Sequence, residues 1–267
     1  MTKVGFIGCG NMGGALAKAV VKAIGGENVF LSDADSKKTE LLALETGATV
    51  SDNECIILNC DYIFLGVKPQ MLKGLFQQIS PFIMKRTTEF TLVSMAAGVS
   101  LYNLSVMAGV SCPIIRIMPN MPVSVGGGMI LYTVNGFTKD ETVSEFLRIM
   151  TYAGKLDKID EDKIDAASCV SGCGPAFVFM FCEALADGAV ACGLPRDKAL
   201  TYAAQTLVGA GEMLLETGKH PGELKDAVCS PGGSTIEGVK ALEDGAFRSD
   251  VMNAVINAYN RTVELGK

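Results

Sequence analysis

The 267 residues contain no tryptophan and a single histidine, His220. Dehydrogenases that act on alcohols need a base for the hydroxyl proton, usually His, Lys or Tyr. His220 stands before Pro221 in a break between helices, where it reads as a surface or capping residue. The most apolar helical stretch, 174–193, has neither Lys nor Asn, although it carries Glu183 and Asp187, which argue against a membrane span. No basic run is present: 23 Lys and Arg face 29 Asp and Glu, for a net charge of −6. Nucleic acid and anionic membranes are therefore not expected partners. None of the nine cysteines forms a C-x-x-C pair, and no His or Asp stands close enough to Cys169 and Cys173 to suggest a metal set, so no metal is expected. The thiols read as reduced, buried small hydrophobes, and a cytoplasmic location is the expectation. No leader is expected before the first strand. Internal repeats and low-complexity segments are also missing.

What is present begins at the first residues. Val4 to Ile7 reads as a short buried strand, and residues 15–21 as helix. Between them Gly8, Gly10 and Gly13 have G-x-G-x-x-G spacing. Gly8 allows a tight turn, Gly10 lets a pyrophosphate approach the backbone, and Gly13 lets helix and strand pack closely. The helix start offers free N–H groups to the anion. A second strand, 29–31, ends in Ser32 and Asp33, where an acidic residue commonly holds a ribose hydroxyl. The spacing alone is also compatible with a merely structural turn.

Short apolar runs at 48–50, 62–67, 91–95, 113–118 and 128–133 alternate with helical stretches, including 37–46, one opening at Pro69, and 139–153. Continuous apolar strands of this kind are covered on both faces, so the expected fold is α/β, a doubly wound parallel sheet of the Rossmann type. Ligands then bind beyond the carboxyl ends of the strands, which groups the loops at 8–13, 66–70, 96–98 and 119–122 on one edge. After a short strand at 155–158 the strand signal stops. Stretches 161–170, 175–192, 196–216, 222–228, 235–242 and 248–265 all read as helix. The expected domains are 1–160, dinucleotide-binding, and 161–267, helical. The helices are apolar over wider faces than one small bundle can bury, so a homo-oligomer is expected.

A second glycine-rich stretch, Ser230-Pro231-Gly232-Gly233-Ser234-Thr235-Ile236, also opens a helix. It reads either as an anion seat or as an ordinary start capped by Ser234 or Thr235. A third, Ser171-Gly172-Cys173-Gly174-Pro175-Ala176, could serve close helix packing instead. A nicotinamide enzyme without an obvious base fits reduction of a C=N bond, because a protonated iminium is already electrophilic.

On these motifs the chain resembles the pyrroline-5-carboxylate reductases. The resemblance runs nearly end to end. It rests on residues 5–13, Val67-Lys68-Pro69-Gln70, Ala96-Ala97-Gly98-Val99, residues 116–122, residues 170–176, and residues 230–236 with Leu242-Glu243. It implies NADPH- or NADH-dependent reduction of 1-pyrroline-5-carboxylate at C5 to give L-proline, the last step of proline synthesis. It implies cofactor contacts at Ile7, Gly8, Gly10, Asn11, Met12, Gly13, Ser32, Asp33, Asn53, Val67, Lys68, Pro69, Ala96, Ala97 and Gly98. For the substrate it implies Ser230, Gly233, Ser234 and Thr235, with Thr235 as the catalytic contact to the ring nitrogen and the backbone amides of 233–235 on the carboxylate. Members of this family form homodimers through the helical domain, often five dimers to a ring, with the active site shared between subunits. Met121 stands where many members have Thr. Asp33 stands where NADP-preferring members have a small polar residue, which leans the expectation toward NADH, with Ser36, Lys37 and Lys38 nearby for a phosphate. Two other readings compete: a catalytically silent dinucleotide-binding regulatory protein, and an oxidoreductase like the β-hydroxyacid dehydrogenases. The intact 230–235 loop disfavours the first. The missing helix Lys disfavours the second.

Overall fold

The computed structural model describes residues 1–265, which form two compact units. The first comprises Met1–Gly172 together with the segment from Arg261 on, and the second Cys173–Asn260.

In chain order the first unit runs β1 (Val4–Ile7), α1 (Asn11–Ile24), β2 (Val29–Ser32), α2 (Ser36–Thr46), β3 (Thr49–Val50), α3 (Asn53–Asn59), β4 (Tyr62–Leu65) and α4 (Pro69–Lys85). It continues with β5 (Thr91–Ser94), α5 (Leu101–Ala108), β6 (Ile114–Met118), β7 (Gly128–Val134), α6 (Asp140–Ile149), β8 (Gly154–Lys158) and α7 (Ile164–Ser171). The strands make one sheet in the order β3-β2-β1-β4-β5-β6-β7-β8. Alternate side chains of the central strands enter opposite cores, as a period of two requires. Phe6 and Phe64 stack at 4.5 Å among Leu16, Val20 and Phe146 on one side. Ile7, Ile63 and Leu65 meet Leu72, Phe76 and Ile79 on the other. Each fully buried Phe or Leu contributes about 1.5–3 kcal/mol relative to exposure, which is why these strands read as unbroken apolar runs.

The expected parallel sheet is realised as far as β6, after which β7 runs antiparallel, with Ile117 opposite Tyr132. Only a 3-10 turn, Met121–Val125, joins the two strands. A parallel return needs a crossover of a dozen or more residues. β8 then pairs parallel to β7. Two short helices appear that the sequence reading did not anticipate. α3 is capped by Asp52, which accepts from the Cys55 N–H at 2.7 Å, and α5 by Ser100, which accepts from Asn103 N–H at 3.1 Å. The strand expected over 62–67 stops at Leu65.

The second unit is formed by α8 (Gly174–Ala191), α9 (Arg196–Thr217), α10 (Pro221–Ala227), α11 (Ser234–Asp244) and most of α12 (Phe247–Leu265). The strand signal stops near 160, but packing keeps the first unit together as far as Gly172, because α7 packs on β7. From Arg261 onward α12 belongs to the first unit, where Thr262 Oγ1 lies 3.8 Å from the Cys169 thiol. The core of the second unit is thin: Ala186, Ala199 and Ala203 are buried, while Phe179, Met180, Tyr202 and Met252 lie exposed. By length and composition the helical run Glu161–Ala191 is apolar enough to cross a bilayer, yet only 11% of its apolar window is buried here.

Candidate active site

The first unit places the glycine loop at the carboxyl end of β1. Gly8 has φ +102°, a conformation side chains rarely adopt, and its N–H donates to Ser32 O at 2.8 Å. A Cβ on Gly13 would sit 2.1 Å from Gly8 O, and one on Gly66 2.3 Å from the same oxygen. Three glycines therefore let β1, α1 and the exit of β4 meet almost at a point. Gly10 differs: a Cβ there would meet nothing within 4 Å. Gly10 is the N-cap of α1, with no side-chain cap and no acidic residue in the first turn. The helix therefore presents its first N–H groups and its positive dipole end to open space. Asn11 is exposed there and Met12 half-buried. A diphosphate fits this arrangement.

Around this loop the other expected cofactor residues lie after the carboxyl ends of β2, β3, β4 and β5. Asp33 is tethered by two backbone amides: Oδ2 accepts from Cys9 N–H at 2.7 Å and Oδ1 from Asp35 N–H at 2.9 Å. Its charge is therefore fixed directly beside the glycine turn. Ser32 Oγ donates to Asn53 Oδ1 at 2.7 Å, joining the ends of β2 and α3. Pro69 opens α4 with Lys68 as N-cap, and Lys68 and Pro69 are exposed while Val67 is half-buried. Ala96 is buried, whereas Ala97 and Gly98 are exposed. A cavity of about 420 Å³ opens between Gly10, Asn11 and Lys38. The Cys9 thiol beneath it is pushed up to about 12, first by burial and then by the Asp33 carboxylate.

In the second unit, α11 begins at Ser234 with Gly233 as N-cap, and no side chain caps it. The reading of Ser234 or Thr235 as an ordinary cap is thus not what forms. Gly232 turns the chain at φ +69°, and the Gly233 N–H donates back to Ser230 O at 3.0 Å. Ser230, Ser234 and Thr235 are exposed, so the Ser234 and Thr235 amides head the helix and the Thr235 hydroxyl stands beside them. A Cβ on Gly233 would lie 2.4 Å from Ser230 Oγ, so the serine hydroxyl would have to turn away. His220 is a cap: its Nδ1 accepts from Gly222 N–H at 3.1 Å.

Four cysteines, Cys9, Cys60, Cys112 and Cys169, are buried as the composition suggested. Cys192 is exposed and the others intermediate, and all nine are free thiols. Among the described residues no group of His, Cys, Asp or Glu could hold a metal ion. Two polar residues of the first unit had no role in the sequence reading. Asn120 donates to Ser171 O at 2.8 Å and accepts from Met129 N–H at 2.9 Å. Arg116, inside β6, pairs with Glu161 at 2.9 Å. A cation within an apolar strand was the signal available for it.

The chain is similar to known proteins over both its segments. Residues 161–265 match the family model described as pyrroline-5-carboxylate reductase dimerisation. Residues 3–98 match the model described as NADP oxidoreductase, coenzyme F420-dependent. A pyrroline-5-carboxylate reductase of Methanosarcina acetivorans is 41% identical over 99% of this chain and 98% of its own length. One from Pisum sativum is 40% identical over 98% and 95%. The crystal structure of the Plasmodium falciparum pyrroline carboxylate reductase, with NADP bound, superposes with a TM-score of 0.86 at 33% identity, covering 100% of this chain and 98% of that one. With relatives of this identity aligned over almost its whole length, the chain belongs to the pyrroline-5-carboxylate reductase family.

Proposed function

We propose that the protein reduces 1-pyrroline-5-carboxylate to L-proline with NAD(P)H, through residues named here one by one. Gly8, Gly10 and Gly13 with the start of α1 hold the diphosphate; Ser32, Asp33 and Asn53 lie where the adenosine ribose is held. The loops Val67 to Pro69 and Ala96 to Gly98 receive the rest of the dinucleotide. When bound, the nicotinamide supplies the electron pair and hydrogen that reduce the C=N bond. The chain's part is to bind and orient. The Ser234 and Thr235 amides hold the substrate carboxylate, Ser230 and Gly233 shape that loop, and the Thr235 hydroxyl hydrogen-bonds the ring nitrogen. The protonated ring is already electrophilic and needs no further acid from the protein.

The observation that carries this reading is the bare start of α11: a helix N-terminus whose cap is a glycine and whose first residues are exposed. A capping side chain in place of this glycine would add a few tenths of a kcal/mol, and this start forgoes it in favour of open amides. The test is NADH and NADPH oxidation with pyrroline-5-carboxylate as substrate, for the wild type and Thr235→Ala. The variant is expected to lose roughly tenfold to a thousandfold in kcat/KM, the scale of one positioned hydrogen bond to a developing charge. An undiminished rate would remove Thr235 from the mechanism.

The protein forms a dimer through its helical region, which is the segment matched by the dimerisation model. A ring of five dimers, a cytoplasmic location and a slight preference for NADH over NADPH complete the proposal. The first follows from the resemblance, the second from the free thiols, and the third from the Asp33 carboxylate beside the glycine turn.

A further inference from the structure

Arg116 sits in the middle of β6 with only 7% of its side chain exposed. A buried guanidinium must be paired, and this one is. Nη1 donates to Glu161 Oε1 at 2.9 Å, and Nη2 lies 3.6 Å from Asp165 Oδ1. The same Glu161 oxygen also accepts the Leu101 N–H at 2.7 Å. Leu101 opens α5, so the carboxylate sits where the helix dipole favours an anion. Immediately upstream is the loop of Ala96, Ala97 and Gly98, whose Ala97 and Gly98 are exposed and whose Gly98 has φ +73°. β5 fixes the near end of that loop through the fully buried Ser94. Glu161 fixes the far end. Beside the loop lies a cavity of about 490 Å³, bordered by Gly98, Ser100 and Asp162, which leaves it room to shift once the anchor is gone.

We propose that Glu161, oriented by Arg116, is a positioning residue for the cofactor: it holds the Ala96 to Gly98 loop in the shape that receives the dinucleotide. This rests on the reading of that loop as a cofactor contact. In this role Glu161 needs no direct contact with cofactor or substrate. It acts through the start of α5, and Arg116 acts through Glu161.

The test is calorimetric titration of NADPH into the whole protein, alongside steady-state kinetics. Glu161→Ala raises the NADPH Kd about tenfold, the scale of a lost hydrogen bond to a charged group, with the effect in the KM for NADPH rather than in kcat. Glu161→Gln keeps an acceptor for the Leu101 N–H and loses only the charge, so its Kd rises about threefold. Should Glu161→Ala fail to fold, this second variant carries the test. Glu145→Ala, which breaks an ion pair with Arg148 in the same unit, reports plain destabilisation and leaves the Kd unchanged. Ala97→Glu, on an exposed position, tests the loop itself and weakens NADPH binding. A normal Kd in the Glu161 variants with a raised Kd in Ala97→Glu overturns the proposal alone. A normal Kd in Ala97→Glu overturns the reading of the loop beneath it. Weakening by Glu145→Ala equal to that by Glu161→Ala would reduce the effect to stability and overturn the proposal as well.

Discussion

In the proposed function, Asp33 is the side chain that sets the preference between the two dinucleotides. Its two oxygens are held by the Cys9 and Asp35 amides, so the charge cannot swing away without breaking both bonds. A 2′-phosphate arriving beside it meets a fixed negative charge. Asp33→Ser should shift the ratio of KM values toward NADPH on the order of tenfold, as expected for removing one like charge at close range. An unchanged ratio in parallel assays would exclude Asp33 from the choice. A different consequence attaches to the buried thiols. Cys60 is pushed up to about 12 and Cys112 to about 11, in both cases mainly by burial. The unfolded chain ionises these thiols near pH 9, well below the folded one. Their contribution to stability is therefore complete below about pH 9 and is lost as pH rises toward the folded values. Urea midpoints should fall between about pH 9 and 11, and Cys112→Ala should flatten that fall. The glycines were readable because each carries a separate geometric demand. Arg116 was readable too, as a charge inside Ile-Ile-Arg-Ile-Met, but an unpaired symbol in a sequence does not say which carboxylate answers it.

At the scale of elements, the start of α1 offers the cleanest separation of folding from binding. A Cβ on Gly10 projects into open space, whereas one on Gly13 collides with Gly8 O. Gly10→Val should therefore fold, with a melting temperature within a few degrees of wild type, on the order of a small N-cap penalty. It should lose measurable NADPH binding by calorimetry, because the side chain takes the diphosphate's place. Retained affinity would count against the loop. Element identity was legible where apolar runs were long, and the carboxyl-edge rule then grouped four loops that the fold places after parallel strands of one sheet. Strand direction was not legible. A strand buried on both faces carries the same apolar residues whichever way it runs, so the reversal at β7 lies in the shortness of the 3-10 connection. The helices α3 and α5 span only seven and eight residues, too short for a periodic signal, although Asp52 and Ser100 were available as caps.

For the molecule as a whole, the second unit buries too little to stand alone. Phe179 and Met180 are 54% and 70% exposed on α8. The family's dimerisation model accounts for such a face. Phe179→Asp should leave the single chain's own core intact while placing a charge in the subunit interface. The dimer dissociation constant should rise at least about a hundredfold, from lost apolar burial plus the cost of burying a charge. Light scattering on a size-exclusion column would detect it, and a dimer of undiminished stability would place the interface elsewhere.

The last turn of α12 carries one more consequence. The end of α12 from Arg261 belongs to the unit of the sheet, although everything between Cys173 and Asn260 lies in the other unit. In N-to-C order of synthesis, the residues up to Gly172 precede the piece that completes their unit, and Cys169 precedes its neighbour Thr262 by the whole helical half. The unit of the sheet is completed only after the entire helical half has been made. An engineered protein cut after Gly172 would repeat this unfinished stage permanently, and grafting this sheet onto another partner would require carrying the distant helical tail along with it.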